Sequence, residues 1–275
     1  MKRTFNVAAL SDTGSVRSVN QDSLLVKIGE FQGNEFGLFA VADGLGGLAA
    51  GEVASSMVVD ELKLWWETQL GDIFCCNKEL AIDNIDNRLN ILIQKVNKAI
   101  YEFGRNTGGK SATTLSMLFI YDSRYILKHI GDCRVYAIES QIRQLTEDHS
   151  WMANQVRHGL ISPEESRKHI RAGVLTRCVG ACETVDIFSS RGNLSDAEVL
   201  VLCSDGFYRM LDENEMENEI KVCIKGRGLS IQDAAERLME KVKARGAIDN
   251  VSVIILCQEQ EDGNNGIISR IRRLF

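Results

Sequence analysis

Three aspartates stand at the ends of apolar segments that lie far apart in the sequence. Asp43 and Asp205 each follow an apolar run and precede a Gly, whereas Asp249 and Asn250 precede an apolar run. Each apolar run predicts a buried strand, and the Gly allows another backbone to approach closely. Three carboxylates in one place repel each other unless a cation neutralises them. Because the donors are oxygens, the expected cation is Mg²⁺ or Mn²⁺. Taken singly, each Asp could instead be a turn former, since Asp-Gly is a common turn pair.

Length and composition limit the protein classes to which the chain can belong. The 275 residues are 44% hydrophobic, which is enough for one large core. A net charge of −6 argues against binding nucleic acid. The eight Cys include no C-x-x-C pair, so reduced and mostly buried thiols are expected rather than disulfides or zinc ligands. No apolar segment is long enough to span a bilayer, and we expect a cytoplasmic protein.

The apolar periodicities predict grouped strands and helices. Helices are expected after Gly47, over 79–103 and from the capping residue Ser230. Strands are expected over 5–9, 22–28, 36–42, 112–120, 124–130, 133–139, 142–145, 199–204 and 251–257. Because the strands are grouped rather than alternating singly with helices, the pattern is typical of an α+β fold with antiparallel sheets.

The aspartates also belong to an ordered series of short motifs. The series is Arg17–Asp22 (RSVNQD), Val41–Gly47 (VADGLGG), Gly51–Ser55 (GEVAS), Gly109–Thr114 (GKSATT), His129–Tyr136 (HIGDCRVY), Leu145–Ser150 (LTEDHS), Val174–Arg177 (VLTR), Ser204–Gly206 (SDG) and Asp249–Val253 (DNVSV). In this order the motifs resemble the metal-dependent serine/threonine protein phosphatases of the type 2C family, in their bacterial single-domain form. The resemblance covers residues 5–257, nearly the whole chain.

The resemblance implies a β-sandwich of two antiparallel sheets flanked by helix pairs, in four layers. It implies a catalytic domain over 1–257 that includes a flap segment at 148–180. Residues 258–275 are then a polar linker and a short basic amphipathic tail. The implied activity is hydrolysis of phosphoserine and phosphothreonine on proteins by a hydroxide held between two Mg²⁺ or Mn²⁺ ions, without a covalent intermediate.

The resemblance also assigns site residues by motif position. Asp43 would bridge both ions, Asp205 and Asp249 would complete one of them, and the Gly44 carbonyl would bind the other. Asp22 would hold metal-bound water. Two further assignments follow: Arg17 would bind the substrate phosphate, and Asp132 would belong to a weaker third metal site. His149 could act as an acid or base, but a structural hydrogen bond is the preferred interpretation.

Three positions depart from the family pattern. Gln21 replaces a frequent Glu. Leu45 stands where eukaryotic members carry a His proposed as general acid, so water would protonate the leaving group. Arg209 stands where many members carry Asp or Asn near the third metal, and a cation there disfavours another cation. Two alternative functions therefore stay open. One is a pseudophosphatase that only binds a partner, which Arg209 and Leu45 would allow. The other is a two-metal nuclease, which the excess of acidic residues disfavours.

The expected partners follow from the implied activity. They are phosphorylated proteins, among them a serine/threonine kinase and its targets, with no nucleic acid and no stable membrane anchoring. We expect a monomer. The basic tail at 267–275 would fold back onto the domain or contact a protein partner, since its three basic residues would give only weak membrane affinity.

Overall fold

The computed structural model describes residues 2–46, 50–73, 78–162, 165, 173–195, 198–225 and 230–261. Its strands are β1 Lys2–Asp12, β2 Asp22–Phe31, β3 Asn34–Leu45, β4 Ala112–Thr113, β5 Leu115–Tyr121, β6 Arg124–Ile130, β7 Arg134–Ile138, β8 Ile142–Gln144, β9 Phe188–Asn193, β10 Val199–Cys203 and β11 Val251–Glu261. Its helices are α1 Ala50–Ile73, α2 Lys78–Asn106, α3 Trp151–Arg157, α4 Asp205–Tyr208, α5 Glu213–Lys225 and α6 Ile231–Ala244.

The strands form two antiparallel sheets. The first has the order β1-β11-β10-β7-β8, and the second has the order β2-β3-β5-β6-β9 with β4 paired to β3. Helices α1 and α2 lie on the second sheet, while α5 and α6 lie on the first. The predicted α+β sandwich with flanking helix pairs is therefore confirmed.

Both faces of the central strands are buried, which explains their uninterrupted apolar runs. Along β3, Leu38 and Ala40 face the helices α1 and α2, whereas Phe39 and Val41 face the opposite sheet. The alternation follows from the two-residue period of a strand. A strand covered on both sides has no solvent face to carry polar residues. Because the centre of each strand is packed on both faces, the strand ends hold their polar side chains in fixed positions.

The structure contains elements that the sequence pattern did not predict. Strand β9 has alternating exposed and half-buried residues, but most of them are polar, so no apolar run marks it. Helix α5 is acidic and buries Met216 and Ile220 one turn apart, which is too short a repeat to identify. Strand β11 continues beyond the predicted end at 257 to Glu261, because β1 pairs with it along its whole length. The tail at 267–275 lies outside the described residues.

Two further expectations concern the cysteines and membrane-spanning segments. The structure describes the side chains of five of the Cys, and all five are free. Cys133 and Cys203 are buried, Cys178 and Cys257 are half-buried, and Cys182 is exposed, so only part of the set fits the expected burial. Among the described helices, none has both the length and the apolar character required to cross a membrane.

Candidate active site

Five aspartates come together where strand ends of both sheets meet. Asp22 begins β2 and is paired in register with Asp43 near the end of β3. Asp205 directly follows β10, and Asp249 lies just before β11. Asp132 occupies the turn between β6 and β7. A hydrogen bond of 2.9 Å from the Gln21 amide to the Asn250 side chain joins the two sheets at this end.

The backbone around Asp43 is held by two threonines of the GKSATT motif. The Asp43 amide donates to the Thr114 hydroxyl at 2.9 Å, and the Thr114 amide donates to the Asp43 carbonyl at 2.8 Å. The Thr113 hydroxyl donates to the same carbonyl at 2.9 Å. At Gly44 a Cβ atom would lie 2.2 Å from the Gly51 carbonyl oxygen, so no side chain fits there. These contacts fix the direction in which the Asp43 carboxylate leaves the strand.

The electrostatics show that the carboxylates share one environment. Burial, reinforced by the charge of Asp22 and then of Asp205, raises the pKa of Asp43 well above its usual range. Burial likewise raises the pKa of Asp22 to about 7 and that of Asp132 to about 7. Asp249 also contributes to the raised pKa of Asp43. The end of the sandwich thus holds more negative charge than its protein surroundings compensate.

Two arginines supply the nearest positive charge. The Arg17 guanidinium lies 2.9 Å from an Asp249 oxygen, and half of its side chain is exposed. The Arg209 guanidinium lies 3.1 Å from Asp205 and 3.4 Å from Asp132. The predicted closeness of Arg209 to the Asp132 position is therefore present in the structure. Arg17 contacts a predicted metal ligand and remains exposed enough to reach a substrate.

The donor atoms fit hard divalent ions. Both carboxylate oxygens of Asp22 are buried, and neither has a hydrogen-bond partner of normal geometry among the described residues. Such orphaned oxygens are costly to bury unless a cation or water satisfies them. In the arrangement described, no three His, Cys, Asp or Glu side chains are already grouped around one point. Asp205 and Asp249 are instead paired with Arg209 and Arg17.

Asn250 joins the loops around the site, a role that the sequence analysis did not assign to it. Its side-chain nitrogen donates to the Thr13 carbonyl at 2.9 Å and to the Val19 carbonyl at 3.0 Å. Its oxygen accepts the Gln21 amide described above. Asn250 is buried, and these bonds tie the segment that carries Arg17 to the chain beside Asp249. The Asp-Asn pair was the available signal, but only a structure shows which carbonyls the Asn binds.

His149 forms the structural hydrogen bonds that the sequence analysis favoured over a role as an acid or base. Its amide donates to the Gly131 carbonyl at 2.7 Å, and its Nδ1 accepts the Gly131 amide at 3.1 Å. These two bonds hold the turn that presents Asp132. The His149 ring also packs against the His129 ring, with 4.7 Å between their centroids. His149 is therefore placed to position Asp132.

Comparisons with known proteins agree on one family. The family model described as protein phosphatase 2C matches residues 14–226. The chain is 32% identical over 251 residues to the serine/threonine phosphatase stp of Listeria monocytogenes, covering 90% of this chain and 93% of that protein. The Streptococcus agalactiae serine/threonine phosphatase structure matches with a TM-score of 0.80 at 27% identity, over 92% of this chain and 99% of that one.

A further solved structure bears on the metal. The catalytic domain of the serine/threonine protein phosphatase PstP, solved in complex with two manganese ions, matches with a TM-score of 0.78 at 25% identity. The match covers 94% of this chain and 100% of that one. These relatives support a metal-dependent enzyme and give no support to a pseudophosphatase. Because the family model covers most of the chain and a named serine/threonine phosphatase matches over 90% of it, this protein belongs to the protein phosphatase 2C family and is a serine/threonine protein phosphatase.

Proposed function

We propose that this phosphatase uses two divalent ions, Mg²⁺ or Mn²⁺, held by Asp43, Asp205, Asp249 and the carbonyl of Gly44. The observation that carries the proposal is the convergence of buried carboxylates around Asp43, which outnumber the two arginines beside them. The buried oxygens of Asp22 support it, because they lie beside Asp43, and only the Ser204 and Ser252 hydroxyls approach them, without a hydrogen bond of normal geometry. All of these donors are oxygens, which suits either ion.

When bound, the two ions lower the pKa of a coordinated water and offset the charge of the phosphate. The protein residues do the rest. Arg17 exchanges its contact with Asp249 for two phosphate oxygens, a geometry that the planar guanidinium matches. Asp22 accepts a hydrogen bond from the attacking water and orients it towards phosphorus. Water adds to phosphorus and gives up one proton to solvent as the serine or threonine oxygen departs. Solvent protonates that oxygen, because the Leu45 side chain has no acidic proton.

We also propose that Arg209 occupies the place of a third ion. Its guanidinium contacts both Asp205 and Asp132, the carboxylates between which such an ion would bind. A fixed positive charge there repels a second cation and uses the same oxygen atoms. The resident site would therefore hold two ions, and Asp132 would serve as the partner of Arg209.

The cellular setting is part of the proposal. We propose that the substrates are phosphoproteins made by a serine/threonine kinase of the same cell, which the phosphatase opposes, and that the enzyme acts as a cytoplasmic monomer without nucleic acid. The named phosphatases among its relatives support a role in kinase signalling.

Phosphate release from a phosphothreonine peptide with saturating Mn²⁺ tests the assignment of the metal ligands. We expect Asp43→Asn, Asp205→Asn and Asp249→Asn each to lower kcat/KM by about a thousandfold or more, since each removes a charged ligand. The matched control is Asp60→Asn, because Asp60 is an exposed residue on α1. Circular dichroism should show that all four variants are folded. Near-normal rates for the three site variants would refute the assignment.

A further inference from the structure

A polar cavity opens beside the turn that presents Asp132. It has a volume of about 380 Å³ and lies between helix α3, the start of β9 and residues 176–177. Arg157, Arg177 and His149 contribute its polar wall, and Phe188 contributes an apolar one. We call it the arginine pocket. None of the roles assigned above uses either arginine.

The hydrogen bonding of His149 leaves one of its nitrogens without an acceptor. Its Nδ1 accepts the Gly131 amide, and a backbone amide can only donate, so the proton of the neutral ring sits on Nε2. Burial, and then the charges of His129 and Arg177, lower the pKa of His149 to about 3, so the ring is neutral in the cell. The side chain is 7% exposed, and its Nε2 lies at the pocket.

The polar contact of this Nε2 is with another donor. Nη1 of Arg177 lies 3.4 Å away, and a guanidinium has no acceptor to offer. The contact therefore brings together two N–H groups, neither of which can satisfy the other. Among the residues that the structure describes, no carboxylate forms an ion pair with Arg177. Two donors that converge in this way require an oxygen from outside.

The charge balance of the arginine pocket also favours an anion. Arg157 is paired with Glu147 at 2.7 Å, so one positive charge is offset inside the pocket wall. Since His149 is neutral, Arg177 leaves a net charge of one positive unit at the pocket. This stands out in a chain whose net charge is −6. A carboxylate or phosphate would accept from both His149 and Arg177 and neutralise the excess charge.

We propose that the arginine pocket binds an acidic group of the phosphoprotein substrate, a carboxylate or a second phosphate close in sequence to the residue being dephosphorylated. The proposal rests on the phosphatase function and specifies its substrate class. Only the His149 ring separates Arg177 from the Gly131 amide, and the next residue is Asp132. The pocket thus lies close to the carboxylate end of the sandwich, so an acidic residue near the phosphorylated one can reach it.

The test is a set of phosphothreonine peptides in which one Asp is moved position by position on both sides of the phosphothreonine, each with an Asn counterpart. At the best position we expect kcat/KM to be about tenfold higher for Asp than for Asn, as one charge-assisted hydrogen bond provides. Replacing that Asp by phosphoserine shows whether the arginine pocket prefers a carboxylate or a second phosphate. Arg177→Gln should bring the Asp-to-Asn ratio close to one and leave the Asn peptide and p-nitrophenyl phosphate unaffected, while Arg177→Lys should keep most of the preference.

Arg143→Gln is the matched control, since Arg143 is an exposed arginine on β8 that pairs with Glu198. It should retain the full preference. Equal rates for Asp and Asn peptides at every position would overturn the pocket while leaving the phosphatase assignment intact. A uniform loss for all substrates in Arg177→Gln would also overturn it, because that result marks a structural role. Failure to hydrolyse any phosphopeptide would refute the function and the pocket together.

Discussion

Replacing Arg209 should create a third metal site, and the structure allows the size of the effect to be worked out. The guanidinium lies 3.1 Å from Asp205 and 3.4 Å from Asp132. At an effective dielectric constant of about 20, unit charges at these separations attract by about 5 kcal/mol per pair. Solvent screens this strongly, because 38% of the Arg209 side chain is exposed. A net contribution of about 1–2 kcal/mol is realistic, equivalent to about a tenfold change in affinity.

The assay is calorimetric titration with Mn²⁺ at pH 8, above the raised pKa of Asp132, which is about 7. Wild-type protein should bind two ions. Arg209→Ala should add a weak third step, since it frees two carboxylates from their cation. Arg209→Asp should bind the third ion about tenfold more tightly than Arg209→Ala, because it adds another anionic donor.

Arg245→Ala is the control, because Arg245 pairs with Glu215 on α5, outside the carboxylate cluster. It should bind two ions, like the wild type. A third step already present in the wild-type titration would refute the argument, since Arg209 would then not exclude the ion. A titration of Arg209→Asp identical to that of the wild type would refute it equally, by showing that Asp132 and Asp205 cannot form a site once they are free.

Three further results are expected. Arg17→Ala should raise KM more than it lowers kcat for a phosphopeptide, because a group that grips phosphate equally in the ground and transition states contributes to binding alone; a fall in kcat at constant KM would contradict this. The pKa of Asp22 is raised from its ordinary value of 3.8 to about 7, so the metal-free protein should lose stability as pH rises from 4 to 7. Melting curves should show this fall in Tm, and it should be smaller in Asp22→Asn and with saturating Mn²⁺; a flat profile would refute it. Deleting residues 264–275 should leave hydrolysis of p-nitrophenyl phosphate nearly intact, because the quoted motifs end at Val253; a severe loss would place the tail in the catalytic fold.

The sequence predicted the carboxylate end of the sandwich because its aspartates sit at strand ends. Asp43 and Asp205 follow apolar runs that are long enough to identify, and the register of β2 with β3 then places Asp22 beside Asp43. The antiparallel sandwich followed from the grouping of the strands and from the family resemblance. The roles of Asp22, Asp43, Asp205 and Asp249 as metal ligands or water binders, and that of Arg17 towards phosphate, stay predictions until metal and substrate are bound.

Contacts between side chains from distant segments could not be predicted. The bonds of Asn250 to the Thr13 and Val19 carbonyls depend on how two loops meet after folding. The same holds for the two donors that converge at Arg177 and His149, which are 28 residues apart. Strand β9 was not predicted for a different reason. It is an edge strand that is only partly covered, so it lacks the apolar run from which strands were predicted.

The two-ion site itself is tested most directly by anomalous diffraction at the manganese absorption edge, from crystals grown with Mn²⁺. The account predicts two anomalous peaks, both within ligand distance of Asp43, one of them also bound by Asp205 and Asp249. It predicts no peak between Asp132 and Asp205, where Arg209 lies. An anomalous map without peaks at Asp43, with Mn²⁺ saturating in solution, would contradict the central claim.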